Sequence, residues 1–312
     1  MKLSSLALVL AAALSLSAIP AVSLRAQELP KGTPAAEVER VDIITPHITD
    51  SHVMELPFVG EIALPRWAPV HVGPLTVDLS PTKHVVMMLF AAFLVLVTMT
   101  VAAVGAVHQT REHGHTRGFA GAVETVVLFV RNEVVIPNVG PHGEGFAPFV
   151  LTLFFFILYA NLLGLIPYGS TATGNIAVTA ALATITFFVI EGATIKSLGA
   201  GYVWTIIYWP HDMPLVMKIP MTVIMTPIEI ISKFTKPFAL TIRLFANMTA
   251  GHIVLLAFIS LIFTFHSWFI VAAPVAMGVA LSMLELFVAF LQAFIFALLA
   301  SVFIGLGRSA AH

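Results

Sequence analysis

The chain has no cysteine, and only 10% of its 312 residues are Asp, Glu, Lys or Arg. The first absence excludes disulfides, thiolate metal sites and cysteine nucleophiles. The second excludes an ordinary soluble domain, in which about a quarter of residues carry charge. With 59% hydrophobic residues and a mean hydropathy of +0.98, the apolar side chains exceed what a soluble core can enclose. A net charge of -1 argues against nucleic acid as a partner. There is also no phosphate-cradling glycine loop, no HExxH and no GxSxG, so any chemistry must come from scattered ionisable groups, without a cofactor.

What is present is a series of apolar runs near or beyond the ~20 residues that cross a bilayer as helix, joined by short segments. The chain therefore reads as an all-α, polytopic membrane protein with lipid as its solvent. Residues 1–26 carry Lys2, an apolar stretch from Leu6 to Val22 and small residues before Gln27, the pattern of a secretory signal peptide, with a retained first transmembrane helix as the other reading. Residues 27–83 contain Pro30, Pro34, Pro46, Pro57, Pro65, Pro69, Pro74 and Pro81, which break any long helix and leave an exported, mostly extended arm. The membrane domain is 84–312.

Within it, His84 to Val107 is one N-terminal span. Arg111 and Arg117 mark the next loop as cytoplasmic by the positive-inside rule. His113 and His115 in that loop read as solvated rather than as metal ligands. Phe119 to Val135 mixes valines with Glu124, Arg131 and Glu133 and predicts an interfacial amphipathic helix ended by Pro137. Ala147 to Pro167 and Asn175 to Ile195 form a transmembrane hairpin. Asn161 is the strongly polar member of its first arm; it either satisfies a neighbouring helix or lines a water path. An aromatic connector, with Tyr202, Trp204, Tyr208 and Trp209, leads to two long apolar stretches, 221–265 and 268–306. As continuous helices these reach about twice the ~30 Å hydrocarbon thickness, so each is either broken, with Pro227, Pro237 and Gly251 as break points, or steeply tilted.

A guanidinium inside such a stretch needs a reason, because a charge at mid-bilayer costs about 3 kcal/mol on insertion scales. Asn247 follows Arg243 by four residues and Glu229 precedes it by nearly four whole turns, so the three share one helix edge; His252 points away from that edge. Glu285 and Gln292 share a face of the second stretch. Glu and His relay protons near neutral pH, whereas Arg never releases its own. A graded row of exchangeable groups interrupted by one permanent cation suits a gated proton path, the Arg acting as barrier and as an attractive site for a carboxylate. The same residues also fit a plainer reading, in which Glu285 with His252, or Arg243 with an internal acid, is a buried pair fixing helix register. Lys233 and Lys236 read as interfacial anchors. No acid of this chain obviously opposes Arg243, which points to a counter-charge on a separate subunit.

The run Arg243-Leu244-Phe245-Ala246-Asn247-Met248 with Ala250-Gly251, and the later Leu291-Gln292-Ala293-Phe294-Ile295-Phe296, resemble subunit a of the F-type ATP synthases. So do Asn161-Leu162-Leu163-Gly164-Leu165-Ile166-Pro167 and Glu229 with Ser232, Lys236 and Pro237. The resemblance covers His84 to the C-terminus and leaves the arm outside it. It implies a stator subunit of a bacterial inner membrane, not catalytic alone, with two long, steeply tilted C-terminal helices lying along a rotating c-subunit ring and a b-subunit peripheral stalk nearby. It further implies that Arg243 faces the ring carboxylate, that Asn247, His252, Glu285 and Gln292 belong to the half-channel from the exported side, and that Glu229 with Ser232 belongs to the cytoplasmic exit, the C-terminus being cytoplasmic. A stand-alone proton-coupled transporter using Arg243 to hold an anion, and a non-conducting membrane anchor, are the competing classes. The first is disfavoured by the lack of internal repeats, the second by the graded ionisable residues.

Overall fold

Among the described residues of the computed structural model, five helices are long and apolar enough to cross a membrane. The structure describes residues 51–56, 60–68, 70–72, 75–77, 80–166, 171–209, 214–265 and 268–309. The expected signal peptide, residues 1–26, and the first part of the arm lie outside them. The chain divides into units 1–41 and 42–312, and the described residues all belong to the second.

The described part of the arm is two antiparallel hairpins, β1 (Val53–Leu56) with β2 (Gly60–Ala63) and β3 (Val70–Val72) with β4 (Leu75–Val77). The prolines that exclude helix here tolerate extended backbone. The Lys83 amide donates to the Ser51 carbonyl at 3.0 Å, fastening the arm to the start of α1 (Lys83–His113). Helix α1 ends where Gly114 turns left-handed (φ 74°) and returns its N–H to Thr110.

Next come α2 (Gly118–Phe129), a widened π-helical turn (Val130–Val135) and the short α3 (Ile136–Val139). The sequence suggests that Pro137 ends this segment. Instead the helix widens just before it, where the ring leaves no N–H for the Glu133 carbonyl, and continues to Gly140. Val130, Val134, Val135 and Val139 are all buried in the bundle core, so one edge of this segment packs against the other helices.

Helices α4 (Ala147–Gly164) and α5 (Ile176–Leu198) form the hairpin. Asn175 caps α5 by accepting the Ala177 amide at 2.9 Å. The two C-terminal helices α6 (Leu215–Phe265) and α7 (Trp268–Ser309) are each continuous. At 1.5 Å per residue they run about 76 and 63 Å, at least twice the ~30 Å hydrocarbon thickness, and of the two ways of fitting a bilayer, breakage is the one they do not take. None of Pro220, Pro227, Pro237 and Pro274 interrupts them, although each removes one ladder bond.

Lipid offers helices no hydrophobic incentive to associate, so their contact rests on close packing of small residues. Along α7, Ala289, Ala293, Phe296, Ala297, Ala300 and Ile304 have no exposed surface, and this largely alanine ridge is the spine against which α4, α5 and α6 pack. At its end Arg308 donates to the carbonyls of Val139 (3.0 Å) and Pro141 (2.6 Å), satisfying groups that Gly140 leaves unpaired in the turn.

Candidate functional site

Leu240, Leu244 and Met248, spaced by four, are buried and seat α6 on the bundle. Their periodicity turns Arg243 and Asn247 the other way, onto an exposed face shared with Glu229. A cavity of about 240 Å³ opens there, lined by Ser232, Thr235, Lys236, Ala239, Leu240, Arg243, Leu299 and Phe303. It holds two cations and no acid. Among the described residues Arg243 forms no ion pair, and neither does Glu229.

Behind that face the groups pair off. Asn247 donates from Nδ2 to Gln292 Oε1 at 3.1 Å, and Gln292 is itself buried. His252 turns away from the Arg243 edge toward α7, where its Nδ1 lies 3.7 Å from Glu285 Oε1. The two side chains are only 18% and 12% exposed. Room for the pair is made by glycine: a methyl group at Gly251 would strike the Glu285 carboxylate, and one at Gly164 would crowd His252 Nε2. His252 Nε2, Glu285 Oε2 and Gln292 Nε2 are buried without a protein partner. Buried polar atoms of this kind are normally satisfied by ordered water.

The profile of the ATP synthase A chain family matches residues 84–305. The chain belongs to that family. It is 44% identical over 276 residues to ATP synthase subunit a 2 of Chlorobaculum tepidum, covering 88% of this chain and 75% of the relative. It is 43% identical over 289 residues to ATP synthase subunit a of Chlorobium phaeobacteroides, covering 91% and 80%. A third relative, ATP synthase subunit a 2 of Prosthecochloris aestuarii, is 45% identical over 271 residues, covering 86% and 79%. Membership of the ATP synthase A chain family identifies the chain as a multi-pass membrane subunit of that complex, and all eight residues singled out by sequence lie inside the matched range.

Asn161, the candidate in α4, has no exposed surface. It donates from Nδ2 to the Ala289 carbonyl at 3.3 Å and accepts from Thr173 Oγ1 at 2.6 Å. It therefore joins α4, α7 and the short 3-10 turn Ala172–Gly174, as expected of an amide satisfying a neighbouring helix. Ser232 lines the Arg243 cavity.

Lys233, read from the sequence as an interfacial anchor, donates from Nζ to Glu191 Oε2 and to Thr205 Oγ1, both at 3.1 Å. The same carboxylate oxygen accepts from the Tyr202 hydroxyl at 2.5 Å, and Lys233 also lies 4.6 Å from the Tyr202 ring centroid. This cluster binds α5 and the 3-10 segment Gly199–Thr205 to α6. Nothing in the local pattern signals it, because the partners are far apart in sequence. Lys236 sits 5.0 Å from the Phe303 ring centroid, a cation–π contact.

Proposed function

We propose that this family member is the proton-translocating stator subunit of an F-type ATP synthase, working against a rotating ring of c subunits. The observation that carries the reading is the uncompensated Arg243, exposed on a seated helix beside a cavity without an acid. A charge so placed requires a partner carboxylate brought by another polypeptide.

Protons enter from the exported side through His252, Glu285, Gln292 and Asn247, with Asn161 in the wall, and neutralise a ring carboxylate. The neutral acid then moves through lipid without the cost of burying an ion. After nearly a full turn it loses the proton toward Glu229 and Ser232, on the cytoplasmic side, and is held by Arg243, which blocks direct leakage because it never gives up its own proton. Each charge crossing supplies about 2.3 kcal/mol per 100 mV, so several are pooled for each ATP. The subunit catalyses nothing alone. It sits in a bacterial inner membrane with residues 27–83 exported and the C-terminus cytoplasmic, and it holds the b-subunit stalk as well as the ring. The stand-alone transporter reading is not favoured by the family relationship. Copurification with a ring of small subunits, each bearing a mid-membrane acid, tests the assignment; a purified chain that moves protons without any ring overturns it.

A further inference from the structure

The Arg243 cavity holds a second cation to which the proposed mechanism gives no task. Lys236 lines that space together with Ser232, Thr235 and Arg243. Glu229, Lys236 and Arg243 follow one another by seven residues, about 20° short of two helical turns, so they lie along one edge of α6 with a rise of about 10.5 Å between neighbours. Lys236 therefore stands midway between the outward-facing guanidinium and the acid assigned to the exit.

A lysine side chain has many rotamers, so an ammonium fixed at a cavity needs something to hold it. Here the Phe303 ring of α7 does so, with Lys236 Nζ 5.0 Å from its centroid. A cation–π contact places the charge without cancelling it. Nor is it cancelled elsewhere. Lys236 also borders a void of about 20 Å³, room for one water, and among the residues lining the two spaces Glu191 of α5 is the one acid. That carboxylate is already taken, by Lys233 Nζ at 3.1 Å and by the Tyr202 hydroxyl at 2.5 Å. From α7 the two walls receive only Leu299 and Phe303, neither of them ionisable. Among the described residues Lys236 forms no ion pair.

We infer that Lys236 sets the pH at which the ring carboxylate releases its proton: its fixed charge favours the ionised form of that acid while the acid stands opposite the cavity. A unit charge about 10 Å from an acid, at an effective dielectric of about 20, changes its proton affinity roughly tenfold. Two cations also make the cavity unfavourable for a hydronium ion, so the departing proton is passed on to Glu229 and the charge left on the ring acid is matched by Arg243. The inference rests on the reading of this face as the one that meets the ring.

The test uses the whole ATP synthase in inside-out membrane vesicles, whose outer medium is the cytoplasmic side. Outer pH is varied at constant proton-motive force, with amounts of assembled complex matched. Removing a cation raises the affinity of the acid for its proton, so release then needs a more alkaline cytoplasmic side. In Lys236→Gln, and in Lys236→Met, which keeps an apolar stem against Phe303, the midpoint of ATP synthesis against outer pH is expected about one unit above that of the parent. ATP-driven pumping, which takes protons up through the same cavity, is expected to persist to a pH higher by a similar amount. Lys236→Arg is expected to keep the parent midpoint. Lower rates at every pH with unmoved midpoints would mean a packing role and overturn the inference, as would an equal shift in Lys236→Arg or a failure of both neutral variants to assemble. Unmoved midpoints beside an Arg243→Ala complex that no longer makes ATP overturn the inference alone. An Arg243→Ala complex with full synthesis removes the reading of this face, and the inference with it.

Discussion

Two basic residues of the same helix are treated in opposite ways. Lys233 is enclosed by Glu191, Thr205 and the Tyr202 ring, while Arg243, further along α6, faces outward over a cavity with no acid in its lining. The first arrangement closes on itself: each charge is matched within the chain, and the result is a fastening between helices. The second is left open among the described residues, as the proposed encounter with a ring carboxylate needs. The Lys233 pairing is architecture, and the unpaired Arg243 is the charge left for the proposed function.

The sharpest break in that contrast is Arg243→Ala. Proton-driven ATP synthesis is expected to fall about a hundredfold or more, the scale of removing one preorganised charge, while assembly is retained because no intramolecular partner is lost. Synthesis rate in vesicles, beside a blot for assembled complex, checks both halves. Next in size is Glu285→Gln, which removes an exchangeable proton but keeps the shape beside Gly251. Proton uptake should slow several-fold, with the head's ATP hydrolysis after detachment unchanged.

Lys233→Ala tests the opposite side of the comparison. It strands Glu191 in a largely buried site and should destabilise the subunit by about 1–3 kcal/mol. Thermal stability of the purified complex in detergent should drop, and the double replacement Lys233→Met with Glu191→Met should recover most of the loss. Should Lys233→Ala instead leave stability intact and abolish proton transport, the division between structural and functional charge fails. Smallest is Arg308→Ala, which releases the Val139 and Pro141 carbonyls at a part-exposed end and should cost about 1 kcal/mol, visible as earlier proteolysis near the C-terminus.

Much of the fold and of the site is legible in the sequence, and for identifiable reasons. Spans are set by hydropathy, and the outward aim of Arg243 and Asn247 follows from their four-residue spacing relative to Leu240, Leu244 and Met248. The turning of His252 away from Arg243 is equally a matter of helical angle. What the angle does not say is what lies there, and Glu285 comes from another helix. The Glu191 clamp is invisible for the same reason: its members come from three separate segments, and each resembles an ordinary interfacial residue. The π-helical turn before Pro137 and the unbroken course of α6 through its prolines are cases where neighbouring helices overrule the local tendency of proline to end a run.

The alanine ridge of α7 has a mechanical consequence. Where backbones meet through methyl groups, there are few rotatable bonds between them to absorb a sideways load. A sideways push on α6, such as the proposed rotor would give, is therefore passed into the bundle as rigid displacement rather than lost in swivelling side chains. The part of the molecule with the least chemistry is what would hold the charged helix in place against that load.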